Sequence, residues 1–109
     1  MPRGNYLAEF ELYVMLAVLR LKGEGYGVSI RHEIEERTGR PVSIGAVYAT
    51  LGRLGDKGLI TFTVSEPLPV QGGRARKFVH LTESGLSSLE TSSAMLRSMM
   101  TGTPLTDPP

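Results

Sequence analysis

Apolar residues recur every three or four positions along four stretches of this chain, and they alternate with polar residues along a fifth. From Tyr6 to Lys22 the sequence YLAEFELYVMLAVLRLK predicts a helix with Phe10, Tyr13, Val14, Ala17 and Leu21 on one stripe. Leu12, Met15, Leu16 and Leu19 lie beside and behind that stripe, so this helix is apolar nearly all round and must be covered on more than one side. Gly23–Gly27, GEGYG, breaks it. A short second helix over Val28–Thr38 turns Ile30 and Ile34 inward, and Gly39 is placed to end it in the left-handed conformation. After Arg40-Pro41-Val42, Ser43 can cap a third helix that runs to Lys57, with Gly58 stopping it. Leu59–Ser65 sets Ile60, Phe62 and Val64 against Thr61, Thr63 and Ser65, the signature of a half-buried strand. The segment Glu66–Gly73 is a turn, and Arg74–Leu81 is the returning strand, whose buried face alternation does not fix. Thr82 then caps a last helix over Glu83–Met100 with a heptad-like seam at Leu86, Leu89, Ser93, Leu96 and Met100. Residues 1–5 read as frayed, 6–100 as one domain, and 101–109 (TGTPLTDPP) as a disordered tail.

The order helix, helix, helix, hairpin, helix predicts a mainly α (α+β) winged helix-turn-helix. The length, 109 residues, suits one such domain, and no run approaches the ~20 apolar residues of a membrane span. The chain has no cysteine, which excludes disulfides and thiolate metal sites. No basic-then-apolar leader opens the sequence, so a cytoplasmic protein is expected. Net charge is only +1, but its distribution is uneven. Between Arg37 and Lys77 seven basic residues face two acidic ones, +5, while the remainder carries five basic and nine acidic, −4. The middle of the chain can therefore face an anion.

The third helix carries the candidate chemistry. At 100° per residue, Ile44, Val47, Leu51 and Leu54 fall within about 80° and form a core face. The opposite side shows Gly45, Ala46, Ala49, Gly52 and Arg53. A glycine costs a helix interior about 1 kcal/mol relative to alanine, so three of them (Gly45, Gly52, Gly55) require a reason. A helix that enters a DNA major groove has little room for bulk, and small residues near its start let the backbone approach phosphate. The competing reading is a close helix–helix contact. Tyr48 lies at the edge of the core face with its hydroxyl free to reach outward; Ser43 and Thr50 are candidate hydroxyl donors; Arg53 is a phosphate contact or guanine reader. Two glycines followed by Arg74, Arg76 and Lys77 make a basic hairpin able to lie along phosphates or in the minor groove, or else a strand edge guarded by charge.

Other chemistries find little support. His32-Glu33 begins an H-E-x-x-H pattern that fails at Glu36, and with two histidines in the chain neither a metal site nor a cofactor is expected. GEGYG lacks the spacing and the preceding strand of a dinucleotide loop. Glu33, Glu35 and Glu36 read as a solvated charged face, and no enzyme is expected. The alternative to a DNA-binding role is a winged helix used only for protein–protein contacts.

Three segments, YGVSI (Tyr26–Ile30), GAVYATLGRLGDKGLI (Gly45–Ile60) and RARKFVHLTESG (Arg74–Gly85), together make the chain resemble the PadR family of bacterial transcriptional regulators, in its short subgroup with a single C-terminal helix. With the apolar first helix they cover about residues 6–100. The resemblance implies a cytoplasmic homodimer that represses genes by binding a palindromic double-stranded DNA operator. It also implies dimerisation through the first and last helices, here Phe10, Leu12, Leu16, Leu86, Leu89, Leu96 and Met100. By position Tyr48 is the recognition-helix tyrosine, and Arg74 and Arg76 are the basic residues of the wing. The family's positions corresponding to 52 and 55 are commonly polar and acidic, whereas both are glycine here. Some relatives respond to aromatic or drug-like effectors; Tyr6, Phe10, Met15, Met95 and Met99 could line such a pocket, the competing reading being plain core or interface packing.

Overall fold

A computed structural model of the chain describes residues 6–65 and 76–106. Helix α1 spans Glu9–Arg20. Its start is fixed by Glu11, whose Oε1 accepts the Ala8 N–H at 3.0 Å, and acidic Glu9 and Glu11 with basic Arg20 complement the helix dipole. The helix begins three residues later than the apolar pattern suggests, because the carboxylate of Glu11 satisfies a donor only at that position. Lys22 and Gly23 then reverse the chain with φ of 53° and 82°.

Helix α2, Gly27–Thr38, buries Ile30 and Ile34, and Gly39 closes it at φ 72° as the sequence implies. Two side chains of α2 strap the turn that follows. The Val42 N–H donates to Glu35 Oε2 at 2.9 Å, and Arg31 Nε donates to the Val42 carbonyl at 2.9 Å. Glu35 is thus a structural acceptor rather than part of a solvated face, and Glu33 takes hydrogen bonds from both Arg20 and Arg37. Helix α3, Ile44–Asp56, starts where Ser43 Oγ accepts the Ala46 N–H at 3.1 Å. Val47, Leu51 and Leu54 are buried as the helical wheel requires, Ile44 is half-buried, and Gly58 stops the segment at φ 74°.

Strands β1 (Ile60–Val64) and β2 (Lys77–Leu81) pair antiparallel, with Phe62 opposite Val79 and Val64 opposite Lys77. The buried face carries Ile60 and Val79; burial fades outward until Val64 is 69% exposed. The ribbon leaves the body there, so alternation in sequence outlasts burial in space. On its other edge β2 is pinned by the Val79 N–H, which donates to the Gly25 carbonyl at 2.8 Å. The strand is shorter than the Arg74–Leu81 expectation among described residues, and Arg74 itself lies outside them.

Helix α4 spans Glu83–Met100. Thr82 Oγ1 accepts the Gly85 N–H at 2.9 Å and donates to the Gly58 carbonyl at 2.8 Å. A Cβ at Gly85 would overlap the Leu59 carbonyl oxygen, so the first turn of α4 sits directly on the corner after α3. Residues 101–106 form successive turns in which Thr103 and Thr106 hydroxyls donate to the Met100 carbonyl, satisfying an acceptor the helix end leaves open. The expected ends of the chain, 1–5 and 107–109, lie outside the described residues. The core gathers under α1, where Val14, Met15, Ala17 and Val18 meet Ile30, Val47, Leu54, Val79 and Leu89. Among the described residues no helix is long and apolar enough to cross a membrane.

Candidate nucleic-acid interface

The outward side of α3 forms a low ridge of Gly45, Ala49 and Gly52 between two depressions. A Cβ added at Gly45 or Gly52 would meet nothing within 4 Å. No described part of this chain therefore requires glycine there, and a helix–helix contact within the protomer is not the reason for these residues. The ridge is an open surface of low relief on a helix whose start is capped by Ser43.

The depression on the wing side, about 640 Å³, lies between α2, α3 and the ribbon. Tyr48 forms one wall. Its ring, 55% exposed as a residue, lies across the first turn of α2 so closely that a Cβ at Gly27 would come within 2.5 Å of Cε1 and 2.7 Å of the hydroxyl. The Tyr26-Gly27 pair singled out in the sequence thus has a physical role: Gly27 provides the space in which Tyr48 lies. Opposite, the Arg76 guanidinium stacks 4.6 Å from the centre of the Tyr26 ring, and Tyr26 meets Phe78 edge-on at 6.1 Å. The Lys77 ammonium lies 4.2 Å from the centre of Phe62. These cations face π clouds and solvent; among the described residues neither has a carboxylate partner.

The depression on the α1 side, about 430 Å³, is lined by Phe10, Arg40, Ser43, Ala46, Ala49 and Arg53 among others. Its cations Arg40 and Arg53, and Lys57 outside it, are paired with carboxylates. Arg40 reaches Glu9 at 3.0 Å and stacks over Phe10 at 5.5 Å. Lys57 Nζ lies 3.0 Å from Glu11 Oε2, and Arg53 Nε lies 4.0 Å from the same oxygen. Arg53 Nη2 also donates to Thr50 Oγ1 at 3.0 Å. Burial raises the pKa of Glu11, but the Ala8 N–H, Lys57 and Arg53 together outweigh that effect and hold it below the ordinary glutamate range.

The structure brings Ser43, Gly45, Ala46, Tyr48, Ala49, Arg53, Arg76 and Lys77 onto exposed surface on or beside α3. It removes Thr50 from the set: the residue is 1% exposed, and its hydroxyl is turned to Arg53 because the side chain falls on the core side of the helix. Met15 cannot line an effector pocket on the surface, since it is fully buried in the protomer's own core. Leu12 and Leu89 are likewise buried between α1 and its neighbours and are unavailable to a second protomer. Tyr6, Met95, Leu96 and Met99 are exposed, Met99 to 79%, as is Leu86, while Phe10, Leu16 and Met100 are half-buried. Glu11 was missed by pattern alone, since it looks like any acidic residue in a first helical turn, and Gly27 was marked only as part of the Tyr26–Ile30 segment, with no contact to explain it. The i, i+3 relation of Glu11 to Ala8 was the one readable sign.

The sequence model of the Transcriptional regulator PadR-like family matches residues 15–91. A PadR-like transcription factor from Bacteroides fragilis has a similar structure, with a TM-score of 0.68 at 27% identity over 83% of this chain and 82% of that one. A PadR family transcription regulator from hypervirulent Clostridium difficile gives 0.64 at 26% identity over 82% and 93%. A PadR-like regulator from Bacillus cereus shares the fold, 0.62 at 24% identity over 85% and 92%. No curated protein matches the chain.

Proposed function

The chain belongs to the PadR-like family of transcriptional regulators, and we propose from this premise that it is a dimeric repressor that binds a palindromic DNA operator in the cytoplasm. The observation that carries the reading is the unobstructed, small-residue face of α3 beside two cations that no described carboxylate neutralises. In this reading α3 enters the major groove with the Gly45–Ala49–Gly52 ridge foremost. Backbone N–H groups at its start approach phosphate. Tyr48 offers its hydroxyl at the groove edge. Arg76 and Lys77 swing from their aromatic rests onto the backbone alongside, and Arg74, outside the described residues, is a further candidate for the same contact.

Surface left uncovered supports the dimer. The distal half of α4 exposes Met95, Leu96 and Met99, and α1 exposes Leu19 with Phe10 and Leu16 half-covered. A second copy covering these residues, with Leu86 and Met100, would set two α3 helices about one DNA turn, ~34 Å, apart. A small hydrophobic or aromatic effector would then sit between protomers against Tyr6, Phe10, Met95 and Met99, whose thioethers adapt to irregular shapes.

The test is selection of bound duplexes from a random pool at about 50 mM salt. A two-fold symmetric motif, released near 0.5 M salt, is the expected result. A protein that retains no duplex at 50 mM salt has another function, and a winged helix devoted to protein contacts takes its place.

A further inference from the structure

The two flanks of α3 differ in charge state although both are basic. On the wing side the cations rest on aromatic rings. On the α1 side each is already matched by an acid from the first turn of α1: Arg40 by Glu9, and Lys57 and Arg53 by Glu11. Glu9 and Arg40 are both largely solvated, so that pair is screened and weak. Glu11 is different. Its side chain is 6% exposed, whereas those of Lys57 and Arg53 are 38% and 56% exposed. A nearly buried anion therefore holds two cations from beneath while their outer sides face solvent on the flank of α3.

The two carboxylate oxygens divide the work. Oε1 caps α1 through the Ala8 N–H, and Oε2 faces Lys57 at 3.0 Å and Arg53 at 4.0 Å. Thr50, buried in the same place, gives Arg53 a second anchor at 3.0 Å. Arg53 is thereby drawn toward α1 and away from the open ridge.

We propose that Glu11 is a positioning residue for DNA recognition: it is an internal anion that competes with phosphate for Arg53 and Lys57, so that these two cations engage only a duplex seated well enough to displace it. The proposal rests on the DNA-binding reading given above. Its consequence is selectivity. Random DNA meets the wing cations alone, whereas an operator that brings phosphate against the α1 flank gains two further contacts. Because the loss of each phosphate contact changes the salt slope of binding by about 0.9, this division is measurable.

The experiment compares wild type, Glu11→Gln, Lys57→Gln, Glu11→Gln/Lys57→Gln, Arg53→Gln/Lys57→Gln and the triple variant on mixed-sequence duplex and on the selected operator, at several salt concentrations. Glutamine keeps the acceptor for the Ala8 N–H, and circular dichroism verifies the fold. Glu11→Gln is expected to bind mixed-sequence duplex severalfold more tightly at low salt. Its slope should steepen by about 0.9 for each cation released, and operator preference should fall. The same substitution in the Arg53→Gln/Lys57→Gln background should have no effect on the slope. Lys57→Gln, a change at a half-exposed position that leaves the core intact, should leave the slope on mixed duplex unchanged when Glu11 is present and flatten it when Glu11 is glutamine.

An unchanged slope in Glu11→Gln, or an equal loss of affinity on both duplexes, overturns the proposal and leaves a purely structural carboxylate. So does a Lys57→Gln effect on mixed duplex that does not depend on residue 11. If wild type itself binds neither duplex at ~50 mM salt, the DNA-binding reading has failed first, and the inference falls with it.

Discussion

Replacing Gly27 by alanine separates stability from recognition in this protein. The backbone at Gly27 is helical and has no positive φ, so alanine is conformationally acceptable. Its helix propensity and its effect on the unfolded chain favour the fold by up to about 1 kcal/mol. Against this stands the Tyr48 ring, whose Cε1 and Cζ would lie 2.5 and 2.6 Å from the new Cβ. Carbon atoms pack at about 3.5–4.0 Å, so the ring must retreat by roughly 1 Å or more. That retreat demands either a strained rotamer, costing about 0.5–1.5 kcal/mol, or a jump to another well. Tyr48 is half exposed, so little core is lost when it moves. The two contributions nearly cancel, and unfolding stability measured by urea should change by less than about 1 kcal/mol. DNA affinity should respond strongly. If the Tyr48 hydroxyl bonds a phosphate, its loss costs about 1.5–3 kcal/mol, which is roughly ten- to more than a hundredfold in Kd. Fluorescence anisotropy on the selected operator reads this directly, and Tyr48→Ala supplies the control: Gly27→Ala should add nothing in that background. Wild-type affinity in Gly27→Ala, or an equal effect with and without the tyrosine, would refute the assignment of Tyr48 to the interface.

Three further outcomes are expected. Arg76→Ala should weaken binding to all duplexes alike and flatten the salt slope by about 0.9, and a slope that stays the same would remove the wing from the backbone contacts. Leu96→Glu should convert a dimer to a monomer in sedimentation velocity with an unchanged helical spectrum, because this residue is half exposed and contributes little to the protomer core; a dimer that persists would place the interface elsewhere. Acid should act partly through Glu11. Its folded pKa is depressed below 4.5, so its contribution is fully present above the unfolded value and is lost as pH falls through the folded one. Urea titrations between pH 6 and pH 3 should show wild type losing more stability than Glu11→Gln, and parallel losses would contradict the role given to this carboxylate.

Local signals carried most of the fold. Ser43 and Thr82 each bond a backbone N–H three residues on, and Gly39 and Gly58 take the left-handed conformation, because these devices depend only on near neighbours. What pattern could not resolve was which side of an all-round apolar helix is interior. Leu12, Met15 and Leu89 look no different in sequence from Leu16 or Leu96, yet the first three face their own chain. The burial of Val79 was equally hidden, since it depends on an edge bond to Gly25 rather than on alternation. The site divided in the same way. The small ridge and the cation at Arg76 are properties of short segments and were legible. The contact of Tyr48 with Gly27 and the grip of Glu11 on Lys57 join residues far apart in the chain, and only the folded backbone brings them together.

Thr82 and Gly85 fasten the root of α4 to the Gly58–Leu59 corner, where α3 has just ended. Eighteen residues of helix make an arm about 27 Å long. Its root has no slack, since the Leu59 carbonyl fills the space a side chain at residue 85 would need. The direction of the arm is therefore set at the corner where α3 ends, and a displacement of about 2 Å at its free end corresponds to a tilt of about 4° about that corner.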